Sequence, residues 1–295
     1  MKSSIFAAAE GATGYPFDRS WSVSAAAQLA CVLEASAPKM GNVHPGAAFA
    51  DMHFGDFLES AIAIEPVFAK VAELSVGELV LESVRATRAK VGINTNLGTL
   101  LLFAPVAKAS NFGMSFADLQ SATQAVLGGL DHQDSKAIYE AIRIAKPGGL
   151  GVVAQHDVRA LAPVDLIGAM GQAAATDAVA RQYVNGFADL FERLIPWFDA
   201  AIRSGRDVFA ATSEVQVRWL AEELDGLIVR KCGTTVATEV QSWARRIVQT
   251  EHPDQRRQLI FELDLHLRGD GHRRNPGTTA DLIAAMLFVR LLCPV

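Results

Sequence analysis

Cysteine is scarce in this chain, long apolar runs are missing, and neither sign of charge dominates. Three cysteines, Cys31, Cys232 and Cys293, make an odd number with no CxxC spacing. That excludes a disulfide framework and a thiolate zinc site, and fits a reducing cytoplasm; the three read as small buried hydrophobes. The most apolar runs, Leu97 to Ala107 and Leu282 to Leu292, fall well short of the roughly 20 residues that a spanning helix needs. The mean hydropathy is nevertheless positive, at +0.20, so these runs read as buried core helices and no membrane partner is expected. A net charge of -5 and a pI near 5.8 exclude a general binder of nucleic acid or anionic membranes. Any anionic ligand is then held by a local cluster of donors. The N-terminus, with one Lys, a very short apolar run and then Glu10, is a poor secretory signal.

Other signatures are missing too. The seven histidines include no HExxH and no zinc-ligand spacing. There is no GxSxG elbow, no Walker A sequence and no GxGxxG. No linker-like stretch, low-complexity segment or fixed-period repeat divides the chain, so one domain is expected. Its limits are read as 21–295, after a flexible segment 1–20. Sustained period-two alternation is nearly absent.

What is present is helical. Apolar residues recur at three- and four-residue steps among Ala, Leu, Glu, Gln and Arg. Helices are expected at about 22–36, 56–74, 76–89, 97–109, 115–128, 135–145, 163–174, 177–203, 214–223, 234–250, 253–268 and 278–292. Ser115 followed by Asp118, and Thr278-Thr279 followed by Asp281, resemble N-caps with an acid in the first turn. Only 149–158 passes as a short strand. The fold class that follows is all-α, a single bundle of about a dozen helices.

Polar residues collect at four breaks in the apolar pattern. In the first, Glu34 ends a helix and a Pro/Gly-punctuated loop presents Lys39, Asn42, His44, Asp51 and His53. Lysine there can meet a phosphate, and the acids and imidazoles suit Mg²⁺ or proton transfer; from these residues alone an ordinary solvated loop is favoured over either. The second is Arg85-Ala-Thr-Arg88-Ala-Lys90-Val-Gly92-Ile-Asn94-Thr95-Asn96-Leu-Gly98, where a helix start either takes a phosphate or is simply capped by Asn. The third is Lys146-Pro-Gly148-Gly149-Leu-Gly151, glycines that permit close backbone approach. The fourth, His272-Arg-Arg274-Asn275-Pro-Gly277-Thr278-Thr279-Ala-Asp281, crowds polar groups at the start of the last helix. Asp131-His132-Gln133-Asp134 reads as a polar turn before a helix, with capping favoured over function.

Together these motifs resemble the triphosphoribosyl-dephospho-CoA synthases, the ATP:dephospho-CoA triphosphoribosyltransferases. The family pattern E-x-x-x-x-P-K-P-G-x-V is matched at Glu34, Pro38, Lys39, Gly41 and Val43, followed by Gly46-Ala47 and Asp51-Met52. G-V-N-T-x-x-G is matched at Gly92-Ile-Asn94-Thr95-Asn-Leu-Gly98, and N-x-S-P-G-G-S-A-D-L-L at Asn275 to Ile283. Met40 replaces a proline, and His44 stands where the synthases carry an acid. Gly148 to Gly151 and Asp225 to Gly233 stand for the R-G-E-A and D-T-N elements. These departures also resemble a divergent branch associated with one-carbon carriers of the tetrahydromethanopterin type.

The resemblance implies that the triphosphoribosyl group of ATP moves to an acceptor hydroxyl, on dephospho-CoA or a related cofactor precursor, with release of adenine. It implies Glu34 or Asp281 as catalytic base, and ATP or phosphate contacts from Lys39, Arg88, Asn94, Thr95, Asn96, Asn275 and Thr278. Mg²⁺ is expected on Asp51 with His44. Partners are then small-molecule nucleotide and cofactor-precursor substrates in the cytoplasm, without nucleic acid, and a homo-oligomer is left open. Two alternatives are another ATP-using enzyme on a pterin precursor, which would yield ADP, and a non-catalytic nucleotide-binding helical protein.

Overall fold

The computed structural model describes residues 16–148 and 162–294. Along them run α1 (Val23–Ser36), α2 (Phe54–Phe68), α3 (Val76–Val91), α4 (Leu97–Ala109), α5 (Phe116–Gly128), α6 (His132–Ala145), α7 (Leu166–Ala173) and α8 (Ala178–Asn185). A π-helical turn (Asp189–Leu194) follows, then α9 (Ile195–Arg203), α10 (Val208–Glu222), α11 (Gly226–Cys232), α12 (Thr234–Gln249), α13 (Pro253–Arg268) and α14 (Gly277–Leu292). No strand forms among the described residues, only an isolated bridge between His44 and Ala47. The strand expected at 149–158 and most of the segment 1–20 lie outside them.

α4 and α14 have no polar face, and they stand at the centre. Every residue from Leu282 to Leu292 is buried, as is nearly all of α4. Phe103 and Phe288 stack with ring centres 4.4 Å apart, and Phe68 meets both edge-on. Full burial of one such side chain stabilises by about 1.5–3 kcal/mol, so these runs gain most at the centre, ringed by α1, α3, α5, α8 and α10. A second, smaller core gathers Val217, Leu220, Ile228, Val240, Ile247, Leu263 and Leu267 from α10 to α13, with Met40 of the α1–α2 loop inserted into it. No helix among the described residues is long and apolar enough to cross a membrane.

Capping sets most helix starts. Ser22, Ser75, Ser115, Asp165 and Asp207 each accept a backbone N–H from the first turn. Asp131-His132-Gln133-Asp134 is a cap as well: Asp131 takes the N–H groups of Gln133 and Asp134, so α6 begins three residues earlier than expected. Asp134 in turn accepts the Gly77 N–H at 2.8 Å and ties α6 to α3.

Three expectations need correction. The single helix read at 177–203 is broken after Asn185, where Gly186 and Phe187 both adopt positive φ. Side chains compensate there: Asp189 collects Arg181, Gln182, Asn185 and Arg193, while the Gln182 carbonyl oxygen takes the Leu190 N–H. The helix read from residue 214 starts at Val208, because Asp207 caps it. Finally, 226–232 forms α11, which is too short for a periodic signal.

Candidate active site

The site is assembled from helix ends. α1 delivers Glu34 inward from its last turn, and the chain then folds back so that Lys39, fully buried, meets it. The two form an ion pair at 2.9 Å, and the Lys39 ammonium also donates to the backbone carbonyls of Glu34 and Ala37. The loop beyond is held from α10 and α13. Gln216 bonds both the N–H and the carbonyl of Met40, Asp264 takes the Gly41 N–H, and Arg268 donates to the Asn42 carbonyl. Gly41 sits at φ +70°, where a Cβ would lie 2.8 Å from Leu267 Cβ, so glycine is required.

Across from Glu34 lies the start of α4. Asn94 caps it by accepting the Leu97 N–H at 3.1 Å, Thr95 shares a 2.7 Å hydrogen bond with Ser60 of α2, and Asn96 donates to Thr87 of α3. Thr99, one turn in, donates to Asp281 at 2.7 Å. The Asp281 carboxylate lies so close over Gly98 that a Cβ there would come within 2.1 Å of it.

Thr278 and Thr279 do not cap α14 with their own side chains. Asp225 does so from the start of α11. One of its oxygens accepts both the N–H and the hydroxyl of Thr279, each at 2.8 Å, and the other takes the N–H groups of Leu227 and Ile228. A Cβ on Gly226 would meet the Thr176 carbonyl at 2.6 Å. The start of α11 thus abuts that of α8, which Asp177 caps while pairing with Arg230. The N-termini of α4, α8, α11 and α14 therefore converge around Asp177, Asp225 and Asp281, the last lying over the first turn of α4.

This crowding shows in the ionisation. Burial pushes the Asp281 carboxyl up to about 7, assisted by repulsion from Glu34, Asp177 and Asp225 and opposed by the Thr99 hydrogen bond. Asp225 is raised by burial too, against its four hydrogen bonds. Burial, with Glu34 and Asp281 nearby, drives the Cys31 thiol far above its ordinary range, so it is no nucleophile.

Glu34, Ser60, Thr95, Asn96 and Thr99 line one cleft with Cys31, Phe57, Ala61 and Ala284. Its volume of about 20 Å³ is far below the roughly 300 Å³ or more typical of a ligand pocket, so a nucleotide enters only if the cleft opens or the ligand lies over its mouth. A wider groove of about 660 Å³ between α12 and α13 is shallow and gathers no comparable set of carboxylates and hydroxyls.

Of the residues expected from the sequence, Glu34, Thr95 and Asn96 share this cleft, with Asp281 bonded to its wall. Asn94 is engaged in capping and Lys39 in the ion pair. Arg88 is half-buried in the last turn of α3. Thr278 is buried with its hydroxyl toward Gly226, and Asn275 lies just before α14. Asp51 is exposed, and the groups it influences are Lys231 and His272. His44 accepts the Gly46 N–H at Nδ1, and burial and Arg268 lower its pKa. Among the described residues no three His, Cys, Asp or Glu side chains come together to hold a metal ion.

The sequence reading missed Ser60, Thr99, Asp177 and Lys231. Thr99 directly follows the Asn94–Gly98 motif, which offered a signal. Ser60 sits mid-helix and offered none.

The geometry defines an all-helical protein with Glu34 lining, and Asp281 bonded to the wall of, a polar cleft formed by α1, α2, the start of α4 and α14. The family model for ATP:dephospho-CoA triphosphoribosyl transferase matches residues 20–294, and the chain belongs to that family of transferases, which use ATP and dephospho-CoA. A crystal structure of a candidate triphosphoribosyl-dephospho-CoA synthase from Archaeoglobus fulgidus superposes with a TM-score of 0.62 at 27% identity, covering 80% of this chain and 98% of that one. No curated protein sequence matches the chain.

Proposed function

We propose that Asp281 is the general base of triphosphoribosyl transfer and that Glu34 offsets the positive charge developing at the sugar. In this reaction the bond from C1′ of the ATP ribose to adenine breaks and a bond from C1′ to the acceptor oxygen forms. The hydroxyl proton passes to Asp281, adenine leaves with the electron pair of the broken bond and takes a proton from water, and Asp281 returns its own proton to solvent. A carboxyl poised near 7 is suited to this, since a base works best with a pKa near the operating pH. Thr99 fixes its orientation.

Glu34, paired with the ammonium of Lys39, faces the same cleft. A carboxylate there stabilises an oxocarbenium-like centre as it does in glycoside cleavage. Lys39 then acts by fixing Glu34 and not by touching phosphate. Ser60, Thr95 and Asn96 are placed to meet the ribose hydroxyls, and Arg88, Asn94, Asn275 and Thr278 border the nucleotide. The acceptor is the hydroxyl of dephospho-CoA.

The described residues do not form a self-contained metal site, but Mg²⁺ commonly binds through one or two carboxylates plus substrate phosphates. Asp51 is such a carboxylate, with His44 on the same loop. Bound there with the nucleotide, Mg²⁺ would offset phosphate charge.

The observation that carries this reading is the placement of Asp281 and Glu34 at one cleft, near enough to repel each other. The test is incubation with Mg-ATP and dephospho-CoA, with products separated by chromatography. Free adenine is expected, and Asp281→Asn should slow its release by about 10²- to 10⁴-fold. Formation of ADP in place of adenine, or an Asp281→Asn protein with full activity, would overturn the reading.

A further inference from the structure

Buried polar atoms without a hydrogen-bond partner number only a few per hundred residues in folded proteins. Nine side-chain atoms of this kind occur among the described residues, and four of them fall within the eight residues 268–275. They are Arg268 Nη1, His272 Nδ1, Arg274 Nε and Asn275 Oδ1. Three of the four are N–H donors, gathered outside the cleft.

The segment is firmly held. Arg268 is anchored through Nε to Asp264 and through Nη2 to the Asn42 carbonyl. The His272 ring stacks on Phe49 at 3.9 Å and accepts the Ala50 N–H at Nε2. That acceptance places the ring proton on Nδ1, a buried donor with nothing to donate to. Arg274 donates through Nη1 to the His266 carbonyl, with Asp270 3.8 Å from its Nε.

Lys231, at the end of α11, completes the cluster. Arg273 donates to its carbonyl at 2.7 Å, which joins the two segments. The Lys231 side chain lies over Gly148, where a Cβ would come within 2.9 Å of its Cε and 3.5 Å of its Nζ. Its half-buried ammonium makes no ion pair or hydrogen bond among the described residues. Asp51 is near enough to act on both Lys231 and His272.

Resting on the function proposed above, we propose that Lys231, Arg268, His272 and Arg274 form the seat of the donor's polyphosphate tail. Four donors of this kind suit a multiply charged chain of phosphoryl oxygens: an ammonium, two guanidinium groups and a neutral imidazole N–H. The seat adjoins the loop that carries Lys39, and Asp51 at its edge is positioned for a divalent ion travelling with the phosphates. It also accounts for the KPG motif and the HRRN segment, which the cleft itself leaves unused.

Calorimetric titration of the full chain with inorganic tripolyphosphate tests the seat without relying on turnover. Lys231→Met and His272→Phe, which keeps the stacking on Phe49, should each weaken binding roughly 10- to 100-fold, the size of one charge-assisted hydrogen bond. Lys136→Met, an exposed charge on α6, should leave it unchanged. Circular dichroism of each variant guards against misfolding. Failure of the wild-type chain to bind tripolyphosphate, or equal binding by folded Lys231→Met and His272→Phe, would overturn the seat. The adenine-release experiment on Asp281 stands apart, so either proposal can fail alone.

Discussion

Asp225 and Thr279 lie 54 residues apart in sequence, yet one carboxylate oxygen accepts both the backbone N–H and the hydroxyl of Thr279. The other oxygen caps α11, so a single buried side chain starts two helices. Asp281 stands two residues beyond Thr279. Its position in the cleft is therefore set by a side chain on another element.

Replacing Asp225 by Asn puts an amide donor against the donors of one helix start or the other. Stability should fall by about 1–3 kcal/mol, the cost of leaving a buried hydrogen-bonding group unpaired. Chemical denaturation would measure it. Thr279→Val, which removes only the hydroxyl, should cost less, and an equal loss would contradict the double-cap account.

The pH dependence of kcat/KM should show a limb that rises with pH to a midpoint near 7, because only ionised Asp281 accepts a proton. The stability linkage runs the opposite way. A carboxyl whose folded pKa is raised binds its proton more tightly in the folded state. The protein is then favoured at low pH and loses that contribution between about 4 and 7. Asp281→Asn should therefore be slower by about 10²- to 10⁴-fold, yet more stable than wild type above pH 7. Equal stability of the two proteins at pH 8 would argue against a desolvated carboxyl.

Gly98→Ala should separate activity from folding. The added methyl would sit 2.1 Å from the Asp281 carboxylate, which must swing away from Thr99 to make room. Its φ is not in the left-handed region and alanine is a strong helix former, so the chain should still fold, with a stability loss of about 1–3 kcal/mol from the crowding and the broken Thr99 hydrogen bond. A fall in kcat of about 10²-fold is expected, in line with removal of an oriented acid–base group.

Lys39→Met should be costly. It leaves Glu34 as a buried charge without its partner, a change that typically destabilises by about 3–5 kcal/mol. The double variant with Glu34→Gln should recover much of that stability but no activity. Calorimetric unfolding of the two proteins gives the comparison. A Lys39→Met protein as stable as wild type would mean that the ion pair does not hold the loop.

Much of the architecture was legible in the residues. Leu97–Ala107 and Leu282–Leu292 are apolar on every face apart from Thr99 and Arg290, and such helices have nowhere to go but the middle. Helix starts with a Ser cap, at Ser22, Ser75 and Ser115, were legible as well, whereas those capped by Asp131 and Asp207 were read too late. Harder to read were α11, only seven residues long, and the break at Gly186-Phe187, where Gln182 and Asp189 stand in for lost backbone bonds. Within the site, motifs singled out Glu34, Thr95, Asn96 and Asp281, which the fold brings together at one cleft. The fate of Lys39 did not, because a lysine on a Gly/Pro loop looks the same whether it faces a phosphate or a buried carboxylate.

The order of apolar and polar residues along the chain determined that this protein is helical, which helices are central, and where its polar motifs interrupt them. Those are local properties, governed by periodicity, capping and hydropathy. Which carboxylates meet, which cation is consumed by an ion pair and which donors remain unpaired were decided only when four helix N-termini were packed together. Electrostatic coupling and desolvation depend on distances through space, and residues as far apart in sequence as Thr99 and Asp281 have none until the chain folds.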